Sequence, residues 1–162
     1  MAAVLEKLDS CELQTLVFAP AALAGLPYRG LDVSGYTLSQ STPDWLSGAL
    51  KKIVNFGRLE ARWDSYSAKV IPASTRVAAV TLLREIATQN LPPAHVVPVS
   101  DGSIQIEWHT RGIDLELNVV SASRVTLSFE DARGTFPALE EELRYDLRKL
   151  TNILDLIASR PD

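Results

Sequence analysis

Residues 105–118 hold the side chains most able to do chemistry. Gln105, Glu107 and His109 alternate with Ile104, Ile106 and Trp108, and Asp114, Glu116 and Asn118 alternate with Leu115 and Leu117. Two carboxylates and an imidazole could ligate a divalent metal, or serve as an acid and base in hydrolysis. The ordinary alternative is the wet side of a half-covered antiparallel sheet, where charged residues belong, and it is preferred. No metal, cofactor or catalytic residue is therefore assigned.

Turn chemistry decides whether these groups share a face. Asp101-Gly102 suggests a two-residue hairpin turn that sets Val99 opposite Ile104, Val97 opposite Ile106 and His95 opposite Trp108. Arg111-Gly112 gives the next turn, pairing Trp108 with Leu115. Ser121-Ala122-Ser123 gives the third, pairing Leu117 with Leu127 and Leu115 with Phe129. On this register Glu107 faces Glu116 and His109 faces Asp114, while His95 falls on the opposite face from His109. Thr126, Ser128 and Glu130 extend the polar side. Like charges directly opposed on a sheet repel, so solvent, a cation or a basic partner should relieve the contact.

Helices should cover the apolar side. Thr42-Pro43-Asp44 is a helix start, and Leu46, Ala49, Leu50, Ile53 and Phe56 then share one stripe. A second helix is expected from near Pro72 to about Gln89, burying Ala79, Leu82, Leu83 and Ile86, and stopped by Pro92-Pro93. A third is expected to begin after Phe136-Pro137. Glu140, Glu141 and Glu142 would lie at its start, Arg144, Arg148 and Lys149 later, and Leu139, Leu143, Leu147, Leu150, Leu154 and Ile157 along its buried face. The expected fold is α+β: a four-stranded antiparallel meander with one face covered by about three helices. Residues 43–162 form the domain, preceded by an extended arm over residues 1–42 that includes a short helix and strand.

Composition narrows the partners. The chain has 162 residues, 46% apolar and 22% charged, with a net charge of −4, which suits one soluble globular domain. The acidic balance argues against general nucleic-acid binding. Lys51, Lys52, Arg58, Arg62 and Lys69 read as solvated positions rather than a basic patch. The lone Cys11 allows no internal disulfide. There is no glycine-rich phosphate loop and no serine elbow. Neither a secretory pattern nor a membrane-spanning stretch is read, so a cytoplasmic location is expected.

The segment Ala61 to Lys69 places Trp63, Asp64 and Tyr66 in a polar loop between two helices. It reads as an anchored connection. Trp63 docks at the core edge, Asp64 accepts hydrogen bonds from following amides, and Tyr66 packs. The functional alternative is an aromatic hot spot for a partner protein.

Trp63-Asp64-Ser65-Tyr66-Ser67-Ala68, with Asp101 to Trp108 and Asp114 to Leu117, resembles a group of small uncharacterised bacterial proteins. Those share a Trp-Asp-Gly-Tyr-x-Ala loop, a helix and a Gly-x-Gln-Leu-Glu-Trp strand, a likeness covering roughly residues 60–120. Here Ser65 and Ser67 stand where glycine is expected, which leaves the loop geometry open. The resemblance carries no catalytic residue. Proteins of this kind often lie near mobile elements or defence genes, which implies a binding role.

The functional expectation is thus a non-enzymatic interaction protein of bacterial or phage origin, of antitoxin, immunity or inhibitor type. It would bind a protein partner through the acidic face (Gln105, Glu107, His109, Asp114, Glu116, Asn118), through the aromatic loop (Trp63, Asp64, Tyr66) or through the N-terminal arm. The alternative is a metal-dependent hydrolase or nuclease using the same carboxylates and histidine. A homodimer through the C-terminal helix is a further option.

Overall fold

Five strands pair antiparallel in chain order, β1 (His95–Pro98), β2 (Ile104–Thr110), β3 (Ile113–Ser121), β4 (Arg124–Asp131) and β5 (Leu139–Leu143). Three α-helices accompany them, α1 (Asp44–Asn55), α2 (Ala73–Ile86) and α3 (Arg148–Ser159). This is a computed structural model, and it describes residues 43–143 and 147–161. The expected N-terminal arm and Cys11 lie outside the described residues.

The period-2 alternation of the strands becomes two chemically distinct faces. Ile104, Ile106 and Trp108 of β2 join Ile113, Leu115, Leu117 and Val119 of β3, and Leu127 and Phe129 of β4, in one buried core. Trp108 is the largest fully buried side chain, and its indole N–H donates to the Pro92 carbonyl at 2.9 Å. Helix α1 contributes Leu46, Ala49 and Ile53, and α2 contributes Ala78, Ala79, Leu82, Leu83 and Ile86. Helix α3 adds Leu150, Leu154 and Ile157. These three residues of α3 belong to the same core as the sheet and the other helices.

The turn at Arg111-Gly112 fixes the phase of β2 against β3. Both residues have positive φ (56° and 72°), the conformation that a two-residue hairpin of matching twist requires. Trp108 then faces Leu115, Glu107 faces Glu116 and His109 faces Asp114. Leu117 faces Leu127 and Leu115 faces Phe129 in the next pair. These are the pairings read from the sequence.

The first hairpin differs by one residue. Val99 N–H donates to the Ser103 carbonyl, and Pro98, not Val99, lies opposite Ile104. The loop Ser100-Asp101-Gly102 thus has three residues. Asp101 binds both the amide and the hydroxyl of Ser103, and Gly102 takes a φ of 94°. A Cβ at Gly102 would lie 3.2 Å from the Val70 carbonyl oxygen, so the loop packs closely on the segment before α2. A one-residue slip exchanges the faces of a strand. Val96 therefore enters the core, and His95 joins Glu107 on the polar side.

The region after β4 is a larger correction. Residues Leu139 to Leu143 form a fifth strand, not the start of the last helix. Leu139 and Leu143 are four apart, a spacing that satisfies a helical stripe and an alternating strand alike. Pairing Leu139 with Phe129 and Leu143 with Val125 extends the core and gives β4 a backbone partner. The three glutamates are consequently divided. Glu140 and Glu142 point with Ser128 and Thr126 to the polar face, while Glu141 lies opposite Leu127 and pairs with Lys149 of α3. No acid remains in the first turn of α3.

The far end of α3 is held by arginines. Arg111 donates to the carbonyls of Ile157 and Ala158 at 2.6 and 3.1 Å. Arg160 makes a two-pronged bond to Asp131 at 2.7 and 3.0 Å, both residues being buried. Asp131 also accepts the amides of Arg133, Thr135 and Phe136, which shapes the turn that leads to β5. The guanidinium of Arg160 and these amides hold the Asp131 carboxyl well below the usual carboxylate range.

Candidate functional site

The polar face is a grid set by the strand register. One row crosses all five strands: His95, Glu107, Glu116, Ser128 and Glu140. The row beside it runs Val97, Gln105, Asn118, Thr126 and Glu142, and a third holds His109, Asp114 and Glu130. None of these residues belongs to the hydrophobic core. The structure thus brings together Gln105, Glu107, His109, Asp114, Glu116 and Asn118, and adds His95, Glu140 and Glu142.

His109 sits between two carboxylates. Its Nδ1 is 2.7 Å from Asp114 and its Nε2 is 3.3 Å from Glu107. The hydrogen bond with Asp114 above all, and the contact with Glu107, raise the imidazole pKa against a weaker opposing effect of burial. An imidazolium here partly offsets the direct opposition of Glu107 and Glu116. One ligand atom each from Glu107, His109 and Glu116 lie within 4.8 Å of one another. A neutral His109 that donates Nδ1–H to Asp114 would turn the lone pair of Nε2 toward a metal, the arrangement in which a carboxylate orients a ligating imidazole.

A depression of about 320 Å³ adjoins this cluster on the same face and shares Glu116 with it. Gln105, Glu116, Asn118, Thr126, Ser128 and Glu140 line it. Its origin is the short side chains of β4. Thr126 and Ser128 lie between the longer residues of β3 and β5, and those flanking backbones are about 10 Å apart at ordinary strand spacing. The Oδ1 of Asn118 has no solvent contact and no hydrogen-bond partner among the described residues. On the β5 side, Arg124 approaches Glu142 at 3.6 Å.

The aromatic loop differs from the expected one in how its two aromatic side chains are placed. Asp64 accepts the amides of Tyr66 and Ala68 at 2.8 and 3.1 Å, which depress its pKa. The Trp63 indole donates to the Lys69 carbonyl. The Asp64 contacts are those read from the sequence, whereas Trp63 is held by this hydrogen bond and is not among the side chains packed on the core. Tyr66 does not pack: it is 79% exposed. Arg62 and Ser65 both adopt left-handed backbone (φ 68°), turning the chain so that Tyr66 points outward, and Arg62 Nε bonds the Tyr66 carbonyl. Ser65 thereby holds a backbone conformation that glycine takes freely.

Lys51, Lys52, Arg58, Arg62 and Lys69 are all exposed. Sequence reasoning did not find His95, Glu140 and Glu142 as members of the face. The run Leu139 to Leu143 carries no alternation of its own, since Glu141 takes the core-side position, so it held no signal for the two glutamates.

No protein-family model matches the chain, and no curated protein or solved structure shows significant similarity to it. No described helix is long and apolar enough to cross a membrane.

Proposed function

We propose that the chain is a non-enzymatic interaction protein that binds a basic protein partner through the polar face of its sheet. The observation that carries this reading is the charge of one continuous surface. Glu107, Asp114, Glu116, Glu130, Glu140 and Glu142 emerge from four adjacent strands on the side that contributes nothing to the core. Against them stand Arg124 at the rim and the histidines His95 and His109. A rigid platform of one charge sign accelerates encounter with an oppositely charged partner and rejects acidic ones. Carboxylates spread across strands suit a broad docking surface better than a reaction centre, which gathers its groups around one reacting atom. An antitoxin, immunity or inhibitor role fits such a platform.

The test is fluorescence anisotropy with a labelled nonapeptide alternating arginine and glycine, and a matching glutamate-glycine peptide. The basic peptide should bind, weaken steeply with added salt, and be lost when Glu107→Lys is combined with Glu130→Lys. Equal binding of the acidic peptide, or affinity indifferent to salt, would overturn the reading.

The convergence of Glu107, His109 and Glu116 supports a second reading, a metal-dependent hydrolase or nuclease. Thermal shift with manganese, zinc and calcium discriminates, because an ion bound to the native state raises its stability. No shift with any of the ions ends this alternative.

A further inference from the structure

We propose that the depression along β4 is a receptor for one arginine side chain of the basic partner, a deeper claim that rests on the docking role just given. The walls are acidic on both sides: Glu116 of β3 and Glu140 of β5 flank Ser128 in a single cross-strand row. The floor is short and hydroxylated, formed by Thr126 and Ser128. Beside Val99 and Leu127, a guest entering here meets two carboxylates, two hydroxyls and the carboxamides of Gln105 and Asn118, polar groups among which acceptors dominate.

The second observation is independent of charge. Asn118 lines the depression, and its carboxamide oxygen, turned away from solvent, is unbonded among the described residues. Buried acceptors are almost always satisfied, and one that is not calls for a donor. The last torsion of asparagine is soft, so a turn of the carboxamide presents this oxygen to the trough. The guest best matched to such a site is cationic, donor-only and flat enough to lie between two walls. Guanidinium meets all three conditions, with five N–H groups and no acceptor. An ammonium supplies charge but only three donors at a point, so it bonds one wall or the other.

The experiment uses the full chain, labelled with nitrogen-15, and three nonapeptides in which arginine, lysine or citrulline alternates with glycine. Citrulline keeps the shape and loses the charge. The arginine peptide should shift the Asn118 and Gln105 side-chain amides and the backbone amides of Thr126 and Ser128. The lysine peptide should bind more weakly, and the citrulline peptide should leave these signals unmoved. Glu140→Gln should weaken the arginine peptide about tenfold, as expected for one lost charge-assisted hydrogen bond.

Ser128→Arg supplies the guanidinium from the chain itself. It should raise Tm and abolish the arginine-specific shifts, whereas Ser128→Glu should lower Tm. Equal shifts with arginine and citrulline peptides, or a Ser128→Arg protein that binds as tightly as the parent, would overturn the receptor. If the arginine peptide still binds in a salt-dependent way to Ser128→Arg, the acidic face stands as a docking surface and only the trough is refuted. If no basic peptide binds the parent, the docking role itself falls.

Discussion

The two faces of this sheet are built from alternate residues of the same strands, yet they answer to different physics. Leu115 and Glu116 are neighbours in β3. Leu115 is fully buried among Trp108, Phe129 and the helices, while Glu116 stands between Glu107 and Ser128 on the polar side. The covered face is held by removal of apolar area from water, which has no preferred partner. On the other face Glu107 and Glu116 oppose each other across the strands, an opposition that His109, held between Glu107 and Asp114, only partly offsets. In the proposed docking role these charges are met by a basic partner. Stability thus rests on the covered face, and the proposed recognition on the other, in alternate residues of one strand.

The strongest way to break that separation is to change adjacent residues and find equal effects. Leu115→Ala should cost about 2–5 kcal/mol of unfolding free energy, the range for a fully buried leucine whose neighbours cannot collapse into the gap. Glu116→Ala should change stability by no more than about 0.5 kcal/mol. Chemical denaturation of the two variants checks both. A large loss in the second would show that the polar face contributes to holding the fold.

Next in size stands Asp131→Asn, which lies at the sheet end where a charge is buried rather than displayed. The substitution leaves the Arg160 guanidinium without its carboxylate and weakens the turn into β5. Tm should fall by less than in Leu115→Ala and by more than for any substitution on the polar face. The folded Asp131 pKa is depressed, so its stabilisation is present above the unfolded value near 3.8 and is lost as pH falls below it. Asp131→Asn should therefore flatten the loss of stability on acidification, measured by denaturation between pH 5 and 2 (about the window that this linkage spans).

A smaller effect sharpens the contrast. Glu116→Gln removes one of two opposed carboxylates and should stabilise the chain by about 0.5 kcal/mol at low salt. At about 1 M salt, where screening acts within a few ångströms, the variant and the parent should converge. A loss of stability on this substitution would mean that Glu116 has a favourable partner within the fold.

The sequence made the centre of the sheet legible and its two edges less so, for physical reasons. Arg111-Gly112 encodes its turn locally, since a glycine and a tolerated left-handed residue suffice, and the phases of β2 and β3 follow. Asp101-Gly102 is equally local in appearance, but its loop takes three residues because Asp101 ties back to Ser103 and the Ser100 carbonyl accepts the Lys69 amide. That second contact comes from a segment distant in sequence, and it carried His95 to the other face. At the opposite edge, Leu139 and Leu143 fit a helix and a strand equally well, and only the unpaired side of β4 decides between them. The depression along β4 could not be read without β5, because one of its walls is Glu140. Tyr66 was misplaced for a similar reason: the left-handed turns at Arg62 and Ser65 set its direction, and neither residue type announces them.

The smallest expected effect concerns His109, which belongs to the polar face yet has partners within it. Its folded pKa lies above the unfolded value of 6.5, chiefly through Asp114 and secondarily through Glu107. The stabilisation it provides is thus complete below pH 6.5 and disappears as pH rises through the folded value. The ring is about half exposed and solvent screens the pair, so the change should be about one degree of Tm. His109→Gln should remove this dependence, and Asp114→Asn should remove most of it while Glu107→Gln removes less, following the order of their contributions. Titration of the His109 ring protons by NMR reads the same linkage directly. If that pKa proved to be at or below 6.5 in the parent chain, the imidazole would be no counter-charge for Glu107 and Glu116. The opposition of those two carboxylates would then rest wholly on solvent and whatever docks on the face.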